Sequence, residues 1–160
     1  MTSFDRDKLE YRKSTQAFII KDRRILLFQG IDFPNDMWSF PGGGMNDSET
    51  PEHALERELH EEFPDNTFKI VAESKTPLAY EWSDEMILKD LATKGSSFRG
   101  QSKIQFLVQL NEDEINSYDK NEIRNLKWVD IKDINDYLQE GRRESTIKAL
   151  KEFGVIGESA

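Results

Sequence analysis

Residues 41–65 read PGGGMNDSETPEHALERELHEEFPD. Three glycines lead into a segment that carries seven carboxylates from Glu49 to Asp65. The pattern predicts a helix from about Pro51 to Phe63. Thr50 is a suitable N-cap, Pro51 suits the first helical position, and Glu52 suits the positive end of the helix dipole. His53 stands where a capping box would have Glu or Gln. Leu55, Leu59 and Phe63 recur at i, i+4 and i+8 and give the helix an apolar stripe. Pro64 ends it. On such a helix Glu58, Glu61 and Glu62 project from one arc of about 100°. Like charges at this spacing destabilise a helix by about 0.2–0.5 kcal/mol per pair. A divalent cation reverses the sign, because Mg²⁺ takes carboxylate oxygens and leaves other positions for water and phosphate. It can then screen phosphate charge and activate a water. The plain alternative is a solvated acidic face. The glycines weigh against it, since they allow close backbone approach to a ligand.

The 160-residue length suggests a single domain, residues 1–160, able to bury a core without disulfides. There is no cysteine, which excludes thiolate catalysis and cysteine-ligated metal. The charged start MTSFDRDKLEYRKS has no apolar run, and no stretch approaches the length of a membrane helix. The expectation is a soluble, cytoplasmic protein. A net charge of -9 disfavours broad attraction to nucleic acid but permits a small site for one phosphorylated end.

Outward from the quoted stretch, STQAFII (14–20) and ILLFQ (25–29) read as a hairpin around the polar turn KDRR. MWSF (37–40) reads as a short strand. Residues 67–82 read as one or two strands broken near Pro77, and KIQFLVQL (103–110) and NLKWVD (125–130) as two more. Helices are expected at about 131–140 and 143–153. The Gly- and Ser-rich run 92–101 reads as a flexible connection, within a loop at 84–100 that orders on substrate. Strands first, one helix inserted and helices last argue for an α+β fold, or a mixed sheet between helices in an α/β/α sandwich.

The glycine-to-glutamate spacing resembles the Nudix box, G-x5-E-x7-R-E-U-x-E-E-x-G-U, with U bulky and apolar. Gly43, Glu49, Arg57, Glu58, Leu59, Glu61 and Glu62 match seven of its nine specified positions over residues 43–65. Pro64 and Asp65 stand in place of the final G and U. The resemblance implies a Nudix fold with the box as loop–helix–loop, and hydrolysis of a nucleoside diphosphate linked to another group. It implies Glu58, Glu61 and Glu62 as ligands to Mg²⁺, with Mn²⁺ as a substitute. A backbone carbonyl near Gly42 or Gly43 would complete the metal sphere. Arg57 and Glu49 would form an ion pair that orients the helix.

YRKSTQAFII, WSFPGGGMNDSE, GQSKIQFLVQL and EIRNLKWV further resemble the bacterial branch that hydrolyses dinucleoside polyphosphates or trims the 5′-triphosphate end of RNA. That likeness implies Glu122 as a metal ligand or general base, with Asp119 as a nearby competitor. It implies Arg12 as a contact to phosphate or RNA, the alternative being an exposed arginine; Gln101 and Lys103, in the GQSK segment, are candidates to reach the polyphosphate or else a turn glutamine and a solvated strand-end lysine. Tyr80 and Trp82 are candidates to stack on a base or to join the core. Trp38 and Phe40 are expected in the core, and His53 and His60 as surface or packing residues. ILLFQG lacks the arginines that RNA-trimming enzymes can carry there, which favours a dinucleoside polyphosphate such as diadenosine tetraphosphate. Sugar nucleotides, ADP-ribose and oxidised nucleotides are alternative substrates for the same chemistry. A non-catalytic nucleotide-binding module is the alternative of another class.

Overall fold

The first hairpin turns on two residues with left-handed backbone, Asp22 (φ 51°) and Arg23 (φ 65°). That conformation matches the twist of the strands it joins. In this computed structural model, which describes residues 3–34 and 36–157, β1 spans Tyr11–Lys21 and β2 spans Arg24–Gly30. They pair directly only near the turn, at Ile20 with Ile25 and Lys21 with Arg24. Below that the segment 39–45 lies between them. It bonds to β1 through Thr15 N–H to the Gly43 carbonyl at 2.8 Å and Ala17 N–H to the Pro41 carbonyl at 2.7 Å. It bonds to β2 through a reciprocal Phe28–Ser39 pair at 2.9 Å each way. The expected strand at 37–40 is thus a single bridge within this insertion.

The sheet continues with β3 (Phe68–Glu73), β4 (Leu78–Glu81), β5 (Gly100–Leu110) and β6 (Ile123–Asp130). Its order is β3-β5-β1-β2-β6. The long β1–β5 pair is parallel and the other pairings are antiparallel, so the sheet is mixed. β3 and β4 lie end to end along the outer edge of β5, with the break before Leu78 that Pro77 requires.

Alternation along the strands feeds two cores. Ala17, Ile19, Leu26, Phe106 and Val108 pack against Leu55, Leu59 and Phe63 of α1 (Pro51–Glu62). Phe18, Ile25, Leu27 and Val129 pack on the other face against Leu138, Ala149 and Leu150, the last two from the closing helix. The result is an α/β/α sandwich. Thr50 caps α1 as expected, accepting from His53 N–H at 3.2 Å. Phe40 is buried, Trp38 packs against the second core, and His53 and His60 are exposed.

Two expectations need correction. The segment 84–100 is not all loop: Asp84–Lys94 forms helix α2, capped by Ser83 and ended by Gly95 at φ 77°. Gly95 supplies the left-handed terminus that such a helix end favours. Further on, 131–140 is a six-residue 3-10 helix, Ile131–Asp136, and the last helix, α3, begins at Glu140 and runs to Glu152.

Candidate active site

The Gly-rich loop enters α1 beneath the split between β1 and β2. Three of its glycines are set by close neighbours. A Cβ on Gly42, whose φ is 144°, would overlap the Thr15 carbonyl. One on Gly43 would overlap the Glu58 carboxyl, and one on Gly44 the Arg12 guanidinium. These absences of side chain bring β1, the loop and the helix together.

Arg57 ties the loop to the helix. Its Nε and Nη2 donate to the two Glu49 oxygens at 2.8 and 2.9 Å, and Nη2 also reaches the Gly44 carbonyl at 3.0 Å. This bidentate contact holds the Glu49 carboxyl down at about 2, below the usual carboxylate range. Nη1 donates to Glu58 at 3.1 Å and to Glu61 at 3.5 Å. Asn46 N–H donates to Glu49 at 2.9 Å, so the loop is held at two points.

Glu62 has a different setting. It is 8% exposed, and its Oε1 is buried with no hydrogen-bond partner. The Gly42 backbone favours its charged form. Burial pushes the Glu62 carboxyl up to about 8, and the charges of Glu58, Glu122 and Glu61 push the same way. Burial also raises Glu58, against the opposing pull of Arg57. A buried carboxylate with an orphaned oxygen is costly unless something cationic completes it.

Glu58, Glu61, Glu62, Glu122, Asp119 and Arg12 share one cavity of about 570 Å³ with Gly43. Its far wall is apolar, from Phe28, Ile31 and Phe33. Glu122 arrives from the turn before β6. That turn is held by Asp119 N–H to the Glu62 carbonyl and Ile31 N–H to the Glu122 carbonyl, both 2.9 Å. Asp119 and Glu122 therefore both reach the cavity. Among the described residues no three carboxylates or imidazoles are gathered into a preformed metal cluster. Arg57 draws Glu58 and Glu61 toward itself, which accounts for part of that spread. The Gly43 carbonyl is engaged by β1. It accepts from Thr15 N–H and, at 3.2 Å, from Thr15 Oγ1, because β1 needs an acceptor there.

The expected substrate residues divide between two faces. Arg12 lines the acidic cavity. Lys103 and Tyr80 line a second cavity, of about 360 Å³, on the α3 side of the sheet. Gln101 lies beside it, accepting from the Tyr80 hydroxyl at 2.6 Å. Tyr80 is 39% exposed, so it is not a core residue. Arg142 of α3 joins Lys103 there and was not singled out from sequence. Its signal was a cationic pair, Arg142 and Arg143, in the first turn of a helix, where the dipole disfavours positive charge. The apolar wall of Phe28, Ile31 and Phe33 carried no comparable signal.

The NUDIX domain family model matches residues 10–150, and the chain belongs to that family. Among its relatives is an RNA pyrophosphohydrolase of Zymomonas mobilis, 31% identical over 155 residues that cover 93% of this chain and 98% of the relative. Solved structures share the fold at lower identity. A Caenorhabditis elegans Ap4A hydrolase in a binary complex aligns at TM-score 0.65 and 20% identity, over 89% of this chain and 96% of that one. An Escherichia coli dihydroneopterin triphosphate pyrophosphohydrolase aligns at TM-score 0.65 and 19% identity, over 90% and 97%. No described helix is long and apolar enough to cross a membrane.

Proposed function

We propose that this chain is a Mg²⁺-dependent hydrolase that cleaves a phosphoanhydride bond in a nucleoside polyphosphate, at the 5′-triphosphate end of RNA or in a dinucleoside polyphosphate. The observation that carries the reading is Glu62, a buried glutamate with an orphaned oxygen in the lining of an acidic cavity. The donor set is oxygen only, which suits a hard cation. Glu58, Glu61 and Glu62 would hold it. When bound, Mg²⁺ supplies positive charge to phosphate oxygens and acidifies a water. The names of the relatives support a pyrophosphohydrolase, and the RNA end in particular.

The chain's own residues do the rest. The Gly42 backbone favours the charged form of Glu62. The Arg57–Glu49 pair fixes the loop against the helix. Arg12 offers a guanidinium to phosphate at the cavity wall. In the reaction the water oxygen bonds to phosphorus and the bridging P–O bond breaks. The water proton passes to a carboxylate, for which Glu122 is the exposed candidate on the wall.

Product analysis tests this. Purified chain with Mg²⁺ meets diadenosine tetraphosphate and a 5′-triphosphate RNA in parallel, each beside Glu62→Gln. Monophosphate RNA ends, or ATP plus AMP, are expected from the parent and not from the variant. No metal-dependent turnover of any nucleoside polyphosphate would overturn the proposal.

A further inference from the structure

The apolar wall of the acidic cavity is tied to the turn that carries Glu122. β2 and β6 pair as Gln29 with Asn125 and then as Gly30 with Ile123, so Arg124 is the extra residue of a bulge. Bulges end a pairing and re-aim a side chain. Here Arg124 Nη2 donates back to the Pro34 carbonyl at 2.9 Å. Ile31 N–H donates to the Glu122 carbonyl, also at 2.9 Å. With the Gly30–Ile123 pair, that makes three ties between the loop 30–34 and the turn. Glu122 is exposed, but its backbone is held on both sides, since its own N–H donates to the Asp119 carbonyl at 3.2 Å. Phe33 anchors the loop end of these ties. Its N–H donates to the Gly30 carbonyl at 3.1 Å, which closes a tight turn. Its ring lies 5.3 Å from the Phe28 ring, tilted by 43°. A Cβ on Gly30 would come within 2.9 Å of the same ring, so Phe33 covers Gly30 as well. Phe33 is half-buried, whereas Ile31, Asp32 and Pro34 around it are exposed.

We propose that Phe33 is a positioning residue for Glu122: the loop 30–34 and the turn 119–124 form one unit, and the ring seated on Phe28 and Gly30 sets where the Glu122 carboxylate stands at the cavity wall. The inference rests on the hydrolase reading above, in which Glu122 takes the water proton, and adds the group that holds it in place. Proton transfer needs a base within hydrogen-bond reach, and a misplacement of about 1 Å can cost about 10²-fold. An exposed glutamate samples several rotamers, so its backbone is what the fold can fix in advance. One side of the turn is fastened to α1, by Asp119 N–H to the Glu62 carbonyl at 2.9 Å. The other side depends on the loop. A loosened loop is therefore felt at Glu122, and not at the glutamates that α1 carries. The alternative role of Phe33, as a face on which a base lies, has a different kinetic signature.

The test joins a double-mutant cycle to amide exchange. kcat and KM are measured with Mg²⁺ for the parent, Phe33→Ala, Glu122→Gln and the double variant, on whichever of diadenosine tetraphosphate and 5′-triphosphate RNA the parent hydrolyses. Phe33→Ala is expected to lower kcat about tenfold and to leave KM within about twofold. Beside Glu122→Gln it should cost nothing further, because the group it positions is gone. Phe33→Tyr keeps the ring and should keep kcat. Exchange is read on the chain without metal or substrate. The Ile31 and Ile123 amides should exchange about tenfold faster in Phe33→Ala, while those of Thr15 and Ala17, bonded to the glycine loop, stay as in the parent. Arg124→Met cuts a tie from the turn side and leaves the wall intact, so it answers if Phe33→Ala does not fold. It should show the same loss of kcat and the same faster exchange at Ile31. Losses that multiply in the double variant overturn the proposal, as does unchanged exchange at Ile31. A rise in KM that persists beside Glu122→Gln overturns it too, and makes the wall a face for ligand. So does a Glu122→Gln chain with the parent's kcat, a result that leaves the hydrolase reading standing. A parent with no turnover sinks that reading instead, and exchange then decides the coupling of loop and turn.

Discussion

The two faces of the sheet carry opposite electrostatic problems. On the α1 face, carboxylates crowd a cavity around Glu62. On the α3 face, Lys103 and Arg142 crowd another with no acid among the described residues that line it. Each arrangement is unfavourable alone, and each is relieved by a ligand of the other sign. Folding stability does not explain either. Core positions a few residues away, such as Leu59 and Phe106, are filled by well-packed apolar groups. The contrast identifies where the chain gives up stability for binding.

The largest effect expected on this contrast comes from Glu62→Gln. Turnover should fall by about 10²–10⁴-fold, the range associated with a positioned catalytic group. Stability should move the opposite way. The Glu62 carboxyl is raised to about 8 from 4.5, so the folded chain holds its proton more tightly than the unfolded chain. Its contribution is fully present below pH 4.5 and is lost as pH rises toward 8. In EDTA the variant should therefore melt roughly 4–8 °C above the parent at pH 8 and close to it at pH 4.5. A melting curve with no pH-dependent gap would remove the buried charge from the account.

Gly43→Ala sharpens the same side of the comparison, because Gly42 serves as its control. The Gly43 Cβ would meet the flexible end of Glu58, whereas the Gly42 Cβ would meet backbone at a φ of 144°. Gly42→Ala should destabilise by about 1–3 kcal/mol. Gly43→Ala should leave melting nearly unchanged but displace the Glu58 carboxylate, at a cost of about 10²-fold in kcat. Equal melting losses in the two variants would show that Gly43 serves packing only.

A smaller loss is expected for Arg57→Met. It frees Glu58 and Glu61 from their shared cation and leaves Glu49 without its bidentate partner. Mg²⁺ affinity should fall by about 10–100-fold, read as the metal concentration for half-maximal turnover. Unchanged affinity would mean that the pair only fastens the loop.

The acidic side of this comparison was legible in the sequence because its chemistry is local. Thr50, Pro51 and the i, i+4 apolar stripe place the glutamates on one helix, and the glycines precede it by a short fixed distance. Glu122 and Asp119 could not be separated, because backbone bonds to Glu62 and Ile31 bring both to the cavity wall. The cationic side was legible only in pieces. Lys103 and Gln101 lie on β5 and Tyr80 on β4, strands that meet by pairing, and Arg142 joins by the docking of α3. No local spacing encodes that meeting. Helix α2 was missed for another reason. Ser83, Ile87, Leu91 and Gly95 are good start, core and stop signals, but the following Gly-Ser run dominated the reading.

The smallest effect falls on the cationic side and tests whether its strain has the opposite pH sign. Burial, with Arg142 and Arg12, pushes the Lys103 amine down to about 8 from 10.5. The unfolded chain then binds more protons between those values, so stability rises with pH across that window. The Lys103 contribution is present above pH 10.5 and is lost as pH falls through 8. Lys103→Met, which keeps the length and removes the charge, should raise melting by about 2–4 °C at pH 7, a shift on the scale of 1 kcal/mol. The gain should shrink as pH rises toward 10.5, whereas the Glu62→Gln gain grows from pH 4.5 to 8. Phosphate-bearing ligand should narrow the Lys103→Met gap at pH 7 by stabilising only the parent. If the gap is instead constant with pH and indifferent to ligand, Lys103 is an ordinary half-buried lysine and the two faces are not electrostatic opposites.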